Sequence, residues 1–542
     1  MGSVATLLPR RADYTGLTRS WGRDIMAGLT VGVVALPLAL AFGISSGAGA
    51  AAGLITAVIA GVVAAVFGGS HVQVSGPTGA MAVVLAPIVA HYGPASLALV
   101  TVLAGMIVLA AGLTGVGRAV TFIPWPVLEG FTLGIATIIF LQQVPAAVGQ
   151  PAPAGQPPLA GAVNVLTHAH AATAWPSLLL AGLVAVLMVG LPRLHRGIPE
   201  SLIAVIVASA VAVLAGMSVA RIGVLPAHLP APLWPHADLA VLRTLAGAAV
   251  AVAALAAIES LLSARVAATM SPTGPYDPNR ELVGQGLASI ASGLFGGMPA
   301  TGAIARTAVN VRAGARTRVA AITHSVLLLA VVYLASTPVA AIPLAALSAV
   351  LMVTAFRMIS ARTIGTILRS TRSDATTFVL TAVVTVCFDL IEAIEIGIVV
   401  AAFFALRVVA RRSSVTREDL PGLPQPGDEK IALLRLDGAM FFGAAERIWS
   451  TISDTRHPDV EVVIIRMSQL GMLDATGAHT LAQIAEDLEA RGITVIIKGV
   501  RPEHLRLLAN VGVIDSLRHE NHLIDTLDKA IAHARSHTEH RS

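Results

Sequence analysis

Three stretches of this chain contain no Asp, Glu, Lys or Arg: Ile25 to Ser70, Val72 to Gly117 and Gly130 to Pro192. Each is long enough for at least two bilayer crossings of roughly 20 residues. A helix on the surface of a soluble core keeps a polar face, and these segments have none. In hydrocarbon every backbone polar group must be satisfied internally, and continuous runs of this length do so as helices. Of the 542 residues, 55% are hydrophobic and 12% charged, against about 25% charged in soluble domains. The class is therefore a polytopic α-helical membrane protein.

The character changes after Arg412, where charged residues become frequent and apolar runs shrink to strand length. The join, RRSSVTREDLPGLPQPGDEK, has the Pro, Gly and charge content of a linker. The organisation read from this is an N-terminal segment 1–23, a membrane domain 24–412, a linker 413–429 and a small α/β tail 430–542. The first polar and basic residues run into a span without a short isolated apolar core, unlike a cleaved signal. The net charge of +5 sits at membrane loops, not in an aromatic-interleaved patch, which argues against a nucleic-acid partner. The single Cys387 excludes an intramolecular disulfide and reads as a small buried hydrophobe. No P-loop, nucleophile elbow or HExxH occurs, so neither an enzyme nor an organic cofactor is expected.

Apolar runs and breakers place about fourteen spans near 25–45, 51–68, 76–91, 95–115, 126–146, 176–192, 198–216, 244–264, 281–296, 302–312, 319–337, 342–356, 375–388 and 392–410. With that count Arg10, Arg11, Arg19 and Arg23, Arg118, the Arg193–Arg196 cluster, Arg265, the Arg312–Arg318 loop, Arg357–Arg372 and Arg407–Arg412 fall on one side. The positive-inside rule makes that side the cytoplasm and puts the N-terminus and the tail there. The 147–174 loop, Asp389 and Glu392 fall outside; Arg221 is the exception. The expected location is the inner or plasma membrane.

The chain repeats itself. AGLTVGVVAL at Ala27–Leu36 resembles AGAAVAVAAL at Ala246–Leu255, FGG occurs at Phe67 and Phe295, and T-G-A-[M/I]-A at Thr78 and Thr301. Three matches in one order, at offsets of 219, 228 and 223 residues, indicate a duplication. Seven spans separate equivalents, so the second copy crosses in the opposite sense: a 7+7 inverted repeat, the construction of many secondary transporters. QVSGPTGAMAVV and GMPATGAIARTA are its broken segments. Gly-Pro and Pro-Ala-Thr-Gly disfavour continuous helix, so helices are expected to start at Thr78–Gly79 and Thr301–Gly302. Each start leaves free N–H groups and about half a positive charge, and two that face each other make a cradle for an anion. The competing reading, small residues that only allow close packing, accounts for the glycines but not for Pro plus Thr in both copies.

Two ionisable residues are placed inside the second half. Glu259 has Ser263 one turn on along the same face; the pair can hold Na⁺, Glu259 can carry a proton, or Glu259 pairs with Arg306. Arg306 suits an oxyanion, or serves as a positively charged residue at the cytoplasmic mouth. His91, His168, His170 and His324 read as loop or span-end residues without metal-ligand spacing. Phe42 follows Pro37 in the first span, as a cavity wall or as packing.

RDIMAGLTVGVVALPLALAF, GLITAVIAGVVAAVFGGS, VSGPTGA and GAIARTAVNVRAGARTRVA resemble the conserved blocks of the SulP family of anion transporters. The resemblance runs from about Arg23 to the end. It implies fourteen spans in a gate half and a core half, elevator-like alternating access, and an anion site between the third and tenth spans. Thr78, Gly79, Ala80, Thr301, Gly302 and Ala303 would supply backbone N–H groups, with Ala305 and Arg306 beside them. Phe42 would be the first-span aromatic and Glu259 the eighth-span acid. Leu38 stands where sulfate-type members carry Gln, and Ala303 and Ala305 where others carry hydroxyls. VALPLALAFG and the Glu259–Ser263 pair look closer to the sodium-coupled bicarbonate branch; Na⁺ would then be held by Glu259, Ser263 and Thr301.

The tail strands KIALLRLDG, EVVIIRMSQL and GITVIIKGV alternate with helices near 474–490 and 502–511, a small α/β sheet similar to a STAS domain. The family's phosphorylation loop, roughly D-S-[ST]-G, reads here Asp474-Ala475-Thr476-Gly477. Ala475 lacks the hydroxyl, leaving Thr476; a scaffold or homodimer contact is the alternative. The readings compared are an Na⁺- or H⁺-coupled symporter of bicarbonate or sulfate, a passive channel or exchanger, and a STAS-based signalling membrane protein. A nucleobase substrate fits poorly with Arg306.

Overall fold

The computed structural model describes residues 7–10, 13, 17–118, 124–153, 156–169, 171–194, 198–226, 228–235, 239–387, 396, 399–400, 402–404, 406, 414–441, 448 and 460–539. Contacts divide the chain into Met1–Ile398 and Val399–Ser542, described in turn. In the first unit the helices are α1 (Leu17–Ser45), α2 (Ala50–Phe67), α3 (Gly79–Tyr92), α4 (Ser96–Thr114), α5 (Trp125–Ala147), α6 (Pro158–His168), α7 (Ala171–Leu194) and α8 (Glu200–Leu214). They continue with α9 (Leu239–Met270), α10 (Pro278–Leu294), α11 (Ile304–Arg312), α12 (Val319–Leu334), α13 (Ser336–Ala340), α14 (Leu344–Met358), α15 (Ala361–Leu368) and α16 (Arg372–Cys387). Seven described helices are long and apolar enough to cross a membrane, and α3, α8 and α12 are shorter apolar helices. Many of their outward residues are large and apolar: Val186 is 69% and Leu214 88% exposed. Such a surface is at home in lipid, not water.

The helices pack in two groups, α1–α4 with α9–α12, and α5–α8 with α14 and α16. Small residues set the closest approach. A Cβ on Gly112 would lie 2.7 Å from the amide nitrogen of Val283, and one on Gly286 2.5 Å from that of Leu109, so α4 and α10 touch backbone to backbone. Between the halves lies a two-stranded ribbon, β1 (Ser75–Gly76) with β2 (Thr301–Gly302), antiparallel, Ser75 opposite Gly302 and Gly76 opposite Thr301. Equivalent elements of the two copies thus run in opposite directions, as inversion requires.

The expected spans from 25–45 through 375–388 fall on helices, and the structure differs from the sequence reading in four places. Helix α11 starts at Ile304, not at Thr301–Gly302, because those two residues are held in the ribbon. The 147–174 loop contains α6, which begins at a proline, a favourable first helical residue. His324 is fully buried within α12 rather than at a span end. Cys387 is exposed, not buried: it ends α16, whose packed face is made by Phe378, Thr381 and Thr385. Most of the 392–410 span, Arg11, Arg196, Asp389, Glu392, Arg407–Arg412 and His170 lie outside the described residues.

In the second unit β3 (Ser414–Glu418), β4 (Ile431–Met440), β5 (Val462–Arg466), β7 (Thr494–Lys498) and β8 (Leu523–Ile524) lie in that order, and β6 (Leu470–Leu473) pairs with the end of β4. Only β3 is antiparallel. It lies within the segment expected to be linker. Its described helices are α17 (Ala475–Ala490), α18 (Pro502–Val511) and α19 (Leu527–Glu539). Strand alternation feeds both faces, as in covered parallel sheets. Leu434, Leu436, Val463 and Ile465 join one core with Leu481 and Ala485; Ile431, Leu433, Val462 and Ile464 join another with Ala530, Ile531 and Ala534.

Candidate functional site

The ribbon positions everything else. Beyond Gly76 the chain passes Pro77, and Thr78 caps α3, its Oγ1 accepting from the Met81 amide at 3.4 Å. Beyond Gly302 the chain enters α11 in the other direction. Because both helices start just past an antiparallel pair, their N-termini meet there. The amides of Gly302 and Ala303 are engaged, with Ser260 Oγ at 3.1 Å and the Val74 carbonyl at 2.9 Å. The donors that α11 offers therefore begin at Ile304 and Ala305, two residues later than the sequence indicates. Both are exposed at the open end of the helix. On α3 the unbonded first-turn amides belong to Gly79 and Ala80.

Arg306 lies in the first turn of α11 and is buried, 3% exposed, so it is not a mouth residue. Its Nη2 donates to the Pro77 carbonyl at 2.6 Å, which carries the guanidinium across to the start of α3. Nη1 is buried without a hydrogen-bond partner. Among the described residues no ion pair joins Arg306 to a carboxylate, Glu259 included. Gly76 makes this approach feasible: its φ is 152°, and a Cβ there would lie 2.8 Å from Arg306 Nη1. Phe42 and Ile139 close over Gly79, where a Cβ would lie 3.2 Å from the Phe42 ring and 2.4 Å from Ile139 Cδ1.

Glu259 of α9 also reaches the ribbon. Its Oε2 accepts from Thr78 Oγ1 at 2.7 Å and Thr301 Oγ1 at 2.8 Å, and the two hydroxyls are 3.0 Å apart. The two copies of the T-G-A repeat thus meet at their threonines, on one carboxylate. A hydroxyl has a single proton. If both donate to Glu259, the contact between the threonines is not also a donated bond. Ser263 is elsewhere: its Oγ is 3.3 Å from Thr307 Oγ1. The structure therefore groups Glu259 with Thr78 and Thr301, and groups Ser263 with Thr307.

The sequence reading did not single out Gln73, Ser260 and Thr307, which fasten the broken segments. Thr307 Oγ1 accepts from the Val74 amide at 3.0 Å, Asn310 Nδ2 donates to the Val72 carbonyl at 2.8 Å, and Gln73 Nε2 to the Ser260 carbonyl at 3.3 Å. Nor did it single out Glu281, buried on α10 and accepting from the amides of Gly69 and Ser70 at 2.8 and 3.1 Å. In the tail, Asp474 caps α17 by accepting from the Gly477 amide at 2.7 Å, and Thr476 is exposed in its first turn.

Residues 22–381 match the sulfate permease family and residues 424–530 the STAS domain. A protein named putative sulfate transporter YvdB from Bacillus subtilis is 31% identical over 94% of this chain and 96% of its own length. A protein named bicarbonate transporter BicA from Synechocystis is 30% identical over 90% of both. The solved structure of SLC26A9 superposes with a TM-score of 0.85 at 16% identity, covering 99% of this chain and 94% of that one. The BicA transmembrane domain gives 0.62 at 31% identity, covering 71% and 97%. The chain belongs to the sulfate permease (SulP) family of membrane transport proteins, with a STAS domain at its C-terminal end.

Proposed function

We propose that this protein is a secondary active transporter of a small inorganic anion, bicarbonate in preference to sulfate, coupled to Na⁺ or H⁺ at Glu259. One observation carries the anion site. A buried guanidinium with an unpartnered Nη1 and no paired carboxylate lies between two helix starts. Among the described residues Glu259 acts on this charge only from beyond ion-pair distance, and an anion there is met by Arg306, by the amides of Gly79, Ala80, Ile304 and Ala305, and by two positive dipole ends. Phe42 closes the apolar side. The names of the similar proteins cover both sulfate and bicarbonate. Ala303, Ala305 and Leu38 offer no side-chain donors, which suits a monoanion held by backbone and one guanidinium better than a dianion.

Glu259 accepts from Thr78, the cap of α3, and from Thr301, in the ribbon strand that leads into α11, so cation or proton occupancy there acts on the entry to both helices. That is a direct physical route for coupling. Alternating access is an elevator-like movement of α1–α4 with α9–α12 against α5–α8, α14 and α16. The N-terminus and STAS domain lie in the cytoplasm, and the protein works as a homodimer. The test is uptake of labelled bicarbonate and sulfate into proteoliposomes, with Na⁺ and pH gradients imposed separately. Saturable uptake that follows one gradient supports the reading. Unitary currents without saturation favour a channel, and uptake indifferent to both gradients removes the coupling.

A further inference from the structure

The C-terminal stretch HENHLIDTLDKAIAHARSHTEH is dense in histidine. His533 and His537 are four apart on α19, on one face. Their Nε2 atoms are 3.4 Å from each other. Opposite them, His522 ends a single 3₁₀ turn, Glu520–His522, just before edge strand β8. Its ring centroid is 5.3 Å from that of His533 and 5.3 Å from that of His537. One ring nitrogen from each of the three falls within 4.8 Å of the other two.

We propose that His522, His533 and His537 form a binding site for a divalent transition-metal ion of the zinc class. The geometry is close to what such an ion needs. With metal–nitrogen bonds of about 2.0–2.1 Å in a tetrahedron, ligand nitrogens stand about 3.3 Å apart, and the His533–His537 pair is already at that spacing. Rotation of the His522 ring closes the remaining distance. An all-imidazole set selects Zn²⁺, Cu²⁺ or Ni²⁺ over Mg²⁺ or Ca²⁺, and three protein ligands leave a fourth position for water. His519, exposed with its ring 5.5 Å from that of His522, stands near enough to compete for it.

A further observation points the same way. His522 is 1% exposed, and apart from a poorly aligned contact with the Val495 backbone its ring nitrogens have no hydrogen-bond partner, whereas buried polar groups are nearly always satisfied. Ligation would clip the last helix of the chain to the edge of the sheet. Nothing in this depends on the transported anion.

The test uses the full chain purified in detergent with a histidine-free affinity tag and stripped with chelator. Co²⁺ is titrated while tetrahedral visible absorption is followed, and Zn²⁺ then competes. The expected result is saturation at one equivalent per chain, displaced by Zn²⁺. The double variant H533Q/H537Q should bind at least about 100-fold more weakly, since the loss of an outer-shell partner alone costs 10–100-fold. His228→Gln should leave binding unchanged. Both helix positions are half-buried, and circular dichroism checks that the double variant folds; single His533→Gln replaces it otherwise. Absence of saturable binding in the wild type, or equal binding by the variant, overturns the proposal.

Discussion

Gly76→Ala probes the site without removing a charged or hydrogen-bonding side chain. At this position φ is 152°, where an L side chain is strained by roughly 1–3 kcal/mol. The added methyl would lie 2.8 Å from Arg306 Nη1, 3.3 Å from Nη2 and 3.4 Å from Ala57 Cα. The backbone side cannot yield, so the guanidinium must, and its 2.6 Å bond to the Pro77 carbonyl is lost. A hydrogen bond to a charged group is worth about 1.5–3 kcal/mol, which corresponds to a rise in anion KM of roughly 10- to 150-fold. Strain alone is controlled by Gly49→Ala, which has φ 90° and no atom within 4 Å of the added Cβ. Concentration-dependent uptake into proteoliposomes, with the amount of folded protein fixed by size-exclusion chromatography, gives KM and kcat separately. If Gly76→Ala left KM within twofold of wild type, or if Gly49→Ala raised it equally, the placement of Arg306 at the anion would be refuted.

Arg306→Gln keeps donors but removes the charge, and should weaken anion binding at least as much, read as KM in the same assay. Glu259→Gln keeps an acceptor for Thr78 and Thr301 while abolishing the titratable charge; uptake should persist down the anion gradient but lose its response to Na⁺ and pH gradients. In the N-terminal segment, burial acts to raise the Asp13 carboxyl, but the Arg280 guanidinium at 2.8 Å outweighs it and holds the group at about 2, below the ordinary 3.8. Its contribution, about 2 kcal/mol, is present above pH 4 and lost as pH falls toward 2. Asp13→Asn should therefore lower the melting temperature at pH 6, with the difference from wild type shrinking toward pH 3. In the STAS domain, Gly477→Ala would put a Cβ 2.1 Å from the Met440 carbonyl and should strongly reduce the yield of folded protein.

What was legible followed from strong local signals. Charge-free runs marked the helices, and the Pro and Gly around Thr78 and Thr301 marked the breaks, because both act on the backbone itself. The tail strands Ile431–Met440, Val462–Arg466 and Thr494–Lys498 were legible as short apolar runs, the last two rich in β-branched residues. The ribbon was not, since two-residue strands carry no pattern, and it moved the start of α11 past Thr301–Gly302. Ser263 stood on the same face as Glu259 by spacing, yet its hydroxyl turns to Thr307. Which polar group a helix face meets depends on the neighbour, here α11, and not on its own sequence. Gln73 and Ser260 were invisible for the same reason. The His533–His537 spacing was present in the sequence; His522, eleven residues earlier, joins it only through the fold of β8 against α19.

The anion site rests on two opposed helix starts and Arg306 converging on one oxyanion. A structure determined with selenate in place of sulfate, or with bicarbonate, tests it most directly. The oxyanion is expected within hydrogen-bond distance of Arg306 Nη1 and of the amides of Ala80 and Ala305, against the ring of Phe42. Anion density elsewhere in the membrane domain, with Arg306 still on the Pro77 carbonyl and nothing at Nη1, would contradict it.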